Sequence, residues 1–172
     1  KENKPAVLDQ TNDYLHALAL VESTDNYRAA RPGSQYLGKY QIGDAARTEV
    51  GLSSLNTIDG KQAFLNDNIL QDLAMFKLLQ YQVGQMESYI NRYDKTRVGK
   101  WYVTKSGIIA MAHLMGVSNA KLFLDSRGTY IPHDGNGRPI TDYLQFNNFA
   151  IVINSINGDE YFKYFTLALL NK

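Results

Sequence analysis

The chain has 172 residues, of which 44% are apolar and 12% aromatic, enough for one domain with a single hydrophobic core. Its formal net charge of +1 gives no polycationic field, so nucleic acid is not the favoured partner. Because the chain has no cysteine, disulfides and thiolate metal sites are excluded. No apolar run approaches the length of a membrane span. We therefore expect one domain over residues 1–172, without a membrane span.

The first predicted element is an amphipathic helix over residues 11–23, for which Thr11 or Asn12 is a suitable cap. Its apolar positions fall on one helical face. They are Tyr14, Ala17, Leu18 and Val21. Glu22 lies in the last turn, where partial desolvation and the negative helix terminus would both raise the pKa of a carboxyl group. Such a carboxylic acid can protonate a glycosidic oxygen, although an ordinary exposed glutamate at a helix end is the alternative.

The polar loop after this helix is dense in amide, guanidinium and phenol side chains. They are Asn26, Tyr27, Arg28, Arg31, Gln35 and Tyr36. Sugars present hydroxyl edges to amides and guanidinium groups, and CH faces to aromatic rings. The loop is therefore a candidate cleft wall in the form of a hairpin, with an ordinary solvated loop as the alternative.

Residues 60–93 carry one apolar stripe in steps of three and four, which predicts one long buried helix or two helices that meet near Gly84. The stripe consists of Leu65, Ile69, Leu73, Phe76, Leu79, Val83, Met86 and Ile90. A loop is predicted over residues 94–103. Thr104 then caps a helix that reaches Gly116.

The core face of this next helix is predicted to hold Ile108, Met111, Ala112 and Met115. His113 lies on a different side and is either a cleft residue or an ordinary satisfied histidine. Val117-Ser118 is predicted to cap a further helix over residues 119–126, which Gly128 closes.

The segment Asp134-Gly135-Asn136-Gly137-Arg138-Pro139 is predicted to be a turn. As a calcium loop it lacks the required glycine at its sixth position and the glutamate at its twelfth. As a dinucleotide fingerprint it lacks a preceding strand. Pro139 suits the start of a short helix through residue 146, which carries Tyr143. Residues 149–170 are predicted to form a strand or buried helix, and then a helix.

Two short segments surround the polar loop, Glu22-Ser23 and Gly38-Lys39-Tyr40-Gln41-Ile42. They resemble the first two signature segments of the lytic transglycosylase and goose-type lysozyme superfamily, Glu-Ser and Gly-x-x-Gln followed by an aliphatic residue. The third segment of that family contains a Tyr-Asn pair. Ala112-His113-Leu114-Met115-Gly116 stands in its place here, in the form associated with a divergent bacterial and phage branch. Tyr143 matches a late aromatic of the family, and the resemblance spans residues 11–143.

The resemblance implies a mainly α, lysozyme-like domain with a small loop or β-hairpin lobe after the first catalytic helix. It implies a peptidoglycan glycosidase that cleaves the β-1,4 bond between N-acetylmuramic acid and N-acetylglucosamine. Glu22 would be the acid and then the base. The substrate-binding residues would be Ser23, Tyr27, Tyr40, Gln41, His113 and Tyr143.

The reaction product depends on whether a second carboxylate assists Glu22. Asp25 and Asp44 are the candidates, because they lie three residues beyond Glu22 and Gln41 respectively. If either positions a water, the enzyme is an inverting muramidase. If neither does, the resemblance implies a lytic transglycosylase, in which the sugar's own 6-hydroxyl attacks and an anhydro product forms.

Chitin or chitosan cleavage is an alternative within the same class, and a non-catalytic peptidoglycan-binding or structural module is the alternative from another class. No cofactor or metal is expected, since the three histidines lack HExxH spacing. The expected partners of this monomer are peptidoglycan glycan strands and an inhibitor or immunity protein. A start at Lys1, with no signal peptide, suggests a processed chain or excised domain that acts outside the cytoplasm, secreted, periplasmic or phage-delivered.

Overall fold

The computed structural model describes residues 6–151, with side chains from residue 11 onward. This range is mainly helical with one small antiparallel sheet, so the predicted fold class is confirmed. None of the helices in it is long and apolar enough to cross a membrane. The elements predicted over residues 152–170 lie outside the described residues.

The helices are, in chain order, α1 (Ala6–Ser23), α2 (Asp44–Glu49), α3 (Ile58–Asn66), α4 (Asn68–Tyr93), α5 (Lys105–Met115) and α6 (Val117–Asp125). Short 3-10 helices span Ser53–Asn56 and Ile140–Phe146. The strands are β1 (Thr96–Val98) and β2 (Trp101–Val103). The described chain divides into two compact units, the first formed by residues 15–81 and the second by residues 6–14 and 82–151. The single-domain expectation stays a prediction.

Helix α1 ends at Ser23 as predicted but begins at Ala6, ahead of the predicted start. Thr11 is 1% exposed and lies inside the helix, so its assignment as a cap was wrong. The buried face contains Tyr14, Leu15, Leu18 and Ala19. Val21 is 43% exposed, because the buried stripe is rotated by about one residue from the predicted one. Both stripes satisfy a helical repeat, and only tertiary packing selects between them.

The predicted long helix is interrupted at Asp67 and not near Gly84, which lies inside α4. Thr57 caps α3 by accepting a hydrogen bond from the Gly60 N–H at 3.1 Å. Asp67 has an extended backbone, and its carboxylate accepts the N–H of Leu70 at 2.9 Å. Asp67 therefore ends one helix and begins the next, as an aspartate in a capping position does.

The small sheet lies where a loop was predicted, because β1 pairs antiparallel with β2 through Val98 opposite Trp101. Gly99, at φ 59°, supplies the left-handed backbone of the tight connection. After α1, the structure has a loop with isolated bridges from Leu37 to Ala30 and to Ile42, rather than a regular hairpin. The lobe after the first helix is thus of the loop type.

The second unit confirms the cap at Thr104, whose hydroxyl accepts the Gly107 N–H at 3.4 Å. Helix α5 buries Ile108, Met111 and Ala112 as predicted, whereas Met115 is only half-buried. The predicted cap Val117-Ser118 was wrong, because α6 begins directly after Gly116.

Gly128 closes the turn after α6 in a left-handed conformation, as predicted, and its N–H donates to the Phe123 carbonyl at 3.0 Å. The turn at Asp134 is also confirmed. Its Oδ1 accepts the N–H groups of Asn136 at 2.8 Å and Arg138 at 2.9 Å. The short helix that follows is a 3-10 helix, and Pro139 lies at its N-cap.

Candidate active site in the first unit

Glu22 is half-buried in the last turn of α1. The helix is closed by two backbone hydrogen bonds of 3.1 Å, from Thr24 to Leu20 and from Asp25 to Ala19. Thr24 and Asp25 both adopt a left-handed backbone, with φ of 56° and 63°. Because a β-branched residue rarely adopts this conformation, the turn after Glu22 is held by its surroundings.

Ser23 joins the end of α1 to the second signature segment. Its Oγ donates a hydrogen bond to the Lys39 carbonyl at 2.7 Å and accepts one from the Asn26 N–H at 2.9 Å. A hydroxyl has one hydrogen and two lone pairs, so both contacts can form together. Residues 22–23 and 38–42, separated by the polar loop, are therefore brought into contact.

Gln41 stabilises the second signature segment through hydrogen bonds to carbonyl groups of the loop. Its backbone is left-handed at φ 48°, and its Nε2 donates to the carbonyls of Gly38 at 2.8 Å and Ala29 at 3.1 Å. Both amide hydrogens are thus used inside the loop, which leaves Oε1 as the atom that can contact a substrate.

Two tyrosines of the loop share one buried carboxylate, that of Asp72 on α4. Tyr40 donates to Oδ1 at 3.0 Å and Tyr27 donates to Oδ2 at 2.7 Å. Asp72 is 6% exposed and Tyr40 is 3% exposed. Burial raises the pKa of both phenols, and Asp72 raises it further, so their hydroxyl groups remain hydrogen-bond donors at neutral pH.

Gln71, the neighbour of Asp72, forms hydrogen bonds to the loop backbone at Tyr27 and at Lys39, which precedes Tyr40. Its Oε1 accepts the Lys39 N–H at 2.9 Å, and its Nε2 donates to the carbonyls of Tyr27 and Phe64, each at 2.9 Å. Neither of these α4 residues was predicted from the sequence to belong to the site. Their signal was a polar pair on the helical face that also carries buried apolar residues, for example Met75.

Lys39 brings a cation to this cluster. Its Nζ lies 3.1 Å from Asp25 Oδ1, 3.9 Å from Asp72 Oδ1 and 3.3 Å from the Tyr27 hydroxyl. It also lies 4.7 Å from the centre of the Tyr27 ring. His16 Nδ1 is 3.9 Å from the other oxygen of Asp25. Asp25, the first candidate for a second carboxylate, is therefore ion-paired.

Asp44, the second such candidate, is ion-paired with Arg47 on α2 and lies 3.1 Å from Lys61 Nζ. The Arg47 side chain is fully buried and also donates to the Ile42 carbonyl and to Asn56 Oδ1. Burial lowers the pKa of Arg47, and the nearby Asp44 carboxylate opposes that shift. The Asp44 carboxylate thus neutralises the charge of the buried Arg47 guanidinium. Arg47 in turn holds the end of the second signature segment through its hydrogen bond to the Ile42 carbonyl.

His113 and Tyr143 belong to the second unit. His113 is half-buried, with Nδ1 3.3 Å from Gln82 Nε2. Tyr143 is 3% exposed, and its hydroxyl lies 3.5 Å from Asp134 Oδ2. The predicted contribution of these two residues to a cleft with Glu22 stays a prediction.

The structure therefore brings together Ser23, Asp25, Tyr27, Tyr40 and Gln41 within the unit that contains Glu22. Among residues 11–151, no cluster of histidine, aspartate or glutamate has the arrangement of a metal site. Comparisons with protein-family models, with curated proteins and with solved structures found no match to this chain. The family resemblance thus rests on the residues quoted above.

Proposed function

We propose that this chain is a peptidoglycan glycosidase that uses Glu22 as general acid and then as base. The observation that carries the proposal is the 2.7 Å hydrogen bond from Ser23 Oγ to the Lys39 carbonyl. It joins the two segments that the resemblance assigns to one catalytic centre, although 16 residues separate Ser23 from Lys39.

In the proposed reaction, the protonated Glu22 carboxyl donates its proton to the oxygen of the glycosidic bond as that bond breaks. The sugar on the other side of the bond acquires oxocarbenium character. Glu22, now a carboxylate, takes a proton from the hydroxyl that attacks the anomeric carbon. The half-buried position of Glu22 limits its hydration while leaving it within reach of a substrate.

The ion pairs of Asp25 and Asp44 favour a reaction in which Glu22 is the one carboxylate that takes part. Asp25 is paired with Lys39, and Asp44 lies between Arg47 and Lys61. Both oxygens of each of these carboxylates already lie within 4 Å of a basic side chain, which indicates a structural role for them. We therefore propose that the attacking group is the 6-hydroxyl of the same muramic acid residue, which gives a 1,6-anhydro product, as in a lytic transglycosylase.

Digestion of purified peptidoglycan, with mass spectrometry of the soluble fragments, tests this function. The proposal predicts disaccharide-peptides with 1,6-anhydro ends, and no fragments from chitin or chitosan oligomers. Reducing ends would instead indicate a muramidase with a second functional carboxylate. Saturable binding to peptidoglycan without any soluble product would overturn the catalytic proposal and leave a non-catalytic binding module.

A further inference from the structure

An open cleft of about 570 Å³ lies in the first unit, beside the loop that follows Glu22. The residues that line it are Arg28, Ala63, Asn66, Asp67, Asn68 and Ile69. Four of these side chains end in a guanidinium, amide or carboxylate group, and Ile69 adds an apolar surface that is 39% exposed. Such a lining can hold a ligand through charged and hydrogen-bonding groups beside one apolar contact.

Arg28 is held in position at both its backbone and its side chain. Its N–H donates to Asn26 Oδ1 at 2.9 Å, and the preceding carbonyl, that of Tyr27, accepts a hydrogen bond from Gln71. Its Nη1 donates to Asn66 Oδ1 at 2.9 Å. No carboxylate oxygen of residues 11–151 lies within ion-pair distance of this guanidinium. Arg28 thus presents a preorganised cation to the cleft.

The other charged residue that lines the cleft is Asp67, whose carboxylate caps the start of α4. Its Oδ1 accepts the Leu70 N–H at 2.9 Å, at the start of α4. There the positive end of the helix offsets part of its negative charge. Arg28 is therefore the group that selects the charge of a ligand, and its planar guanidinium suits a carboxylate.

We infer that this cleft binds a carboxylate of peptidoglycan, carried by the peptide stem or, on strands whose stem has been removed, by the lactyl group of muramic acid. The inference rests on the proposed function and adds a charge requirement to it. Arg28 lies six residues from Glu22, so the chain between them spans at most about 22 Å. One glycan strand could reach both residues. Chitin carries no carboxylate and would gain nothing from this cleft.

The test measures binding by calorimetry, in the Glu22→Gln background so that turnover does not interfere. The four probes are a disaccharide-peptide, the same fragment with its stem carboxylates amidated, a stem-free disaccharide with a free lactyl carboxylate, and a chitin oligomer. Arg28→Gln should weaken binding of the carboxylate-bearing fragments by about 10- to 100-fold, because a charged hydrogen bond is lost. Binding of the chitin oligomer should not change. If only the disaccharide-peptide is affected, the cleft binds a stem carboxylate, and if only the stem-free disaccharide is affected, it binds the lactyl carboxylate. If both are affected, the cleft accepts either one, because the lactyl carboxyl of the disaccharide-peptide is an uncharged amide.

Two further variants sharpen the result. Arg97→Gln removes an exposed arginine on strand β1 that does not line the cleft, so it should leave every affinity unchanged. Asp67→Asn keeps a side chain that can cap α4 but removes a negative charge that repels the ligand carboxylate. It should therefore tighten binding of carboxylate-bearing fragments by a few fold. Equal losses in Arg28→Gln and Arg97→Gln, or an Arg28→Gln variant that binds all four probes normally, would overturn the inference.

The outcomes for the two proposals are separable. Digestion of peptidoglycan by the unmodified chain, together with binding that does not depend on Arg28, would overturn this inference and leave the proposed function in place. Arg28-dependent binding of the charged fragments without any digestion would support the cleft and overturn the catalytic proposal. Thermal unfolding of each variant identifies any loss of binding that comes from misfolding.

Discussion

The hydroxyl of Tyr40 donates to Oδ1 of Asp72 across 3.0 Å, and both side chains are almost entirely buried. A buried carboxylate is costly unless it is paired or hydrogen-bonded. Tyr27 donates a hydrogen bond to the second oxygen of Asp72, and the Lys39 ammonium lies 3.9 Å from the first. These contacts offset the cost of burying the Asp72 carboxylate. Through this network, α4 fixes the loop segment that also contacts Ser23.

Tyr40→Phe tests how much this network stabilises the first unit. The change removes a hydrogen bond to a charged acceptor, so the free energy of unfolding should fall by about 1.5 to 3 kcal/mol. Chemical denaturation measures it. Tyr89→Phe is the matched control, because Tyr89 donates to Asp125 Oδ2 at 2.8 Å on an exposed surface. Its cost should stay below about 0.5 kcal/mol, and equal costs for the two variants would contradict the role of the network.

Gly38→Ala tests the close approach between the second segment and Gln71. Gly38 has a φ of 74°, and a Cβ there would lie 2.1 Å from Gln71 Oε1. Left-handed backbone and a steric clash together should cost about 3 kcal/mol or more of unfolding free energy. Gly33→Ala has nearly the same φ, 75°, and no atom within 4 Å.

Gly33→Ala should therefore lower the free energy of unfolding only by the penalty that alanine incurs in a left-handed backbone, about 1 to 2 kcal/mol. The difference between the two variants isolates the contact with Gln71, because their backbone penalties nearly cancel. Differential scanning calorimetry can measure it. A difference near zero would mean that Gln71 moves freely away from Lys39.

Ser23→Ala separates stability from activity at the proposed centre. It removes the hydroxyl that links Lys39 to Asn26, so we expect a stability loss of about 1 to 2 kcal/mol and a fall in peptidoglycan digestion of at least about tenfold. Ser126→Ala is a close match, because Ser126 also lies at the C-terminal end of a helix and its Oγ bonds to the backbone of Phe123 and Tyr130. It should lose similar stability with unchanged activity. A parallel loss of activity in both variants would indicate that Ser23 is merely structural.

The turn at Asp134 should respond to pH. The backbone hydrogen bond from Arg138 lowers the pKa of Asp134 below its ordinary value of 3.8; desolvation opposes this shift, and the hydrogen bond from Asn136 adds to it. Because the folded pKa is lowered, the turn is stabilised above about pH 4, and this stabilisation is lost as pH falls through the folded pKa.

In an NMR titration, the amide shifts of Asn136 and Arg138 should therefore move together, with a midpoint below 3.8. Asp134→Asn keeps a side-chain acceptor but removes the titration. A midpoint at or above the ordinary value would show that the two amides do not stabilise the carboxylate.

Local signals in the sequence predicted part of this structure well. The cap at Thr104, the turn at Asp134 and the glycine after α6 each depend on a few neighbouring residues, and each is confirmed. The break at Asp67 and the strand pair around Gly99 were missed. In both cases a short polar segment has more than one plausible local conformation, and tertiary packing selects one of them.

The supporting residues of the candidate site were harder to predict, because their partners lie far away in the chain. Asp72 bonds to Tyr27, 45 residues earlier, and Gln71 bonds to Lys39, 32 residues earlier. No periodicity within a helix indicates such partners. The sequence pointed to Glu22 and Ser23 through a short motif, whereas Gln71, Asp72 and Arg47 became visible only in the folded chain.

Digestion of purified peptidoglycan by Glu22→Gln, compared with the unmodified chain, tests the central claim most directly. Glu49→Gln is the control, since Glu49 is an exposed glutamate at the end of helix α2. We expect normal release of soluble fragments by the unmodified chain and by Glu49→Gln, and a loss of about 100-fold or more in Glu22→Gln with its fold intact. Undiminished digestion by Glu22→Gln, or the absence of digestion by the unmodified chain, would contradict the account.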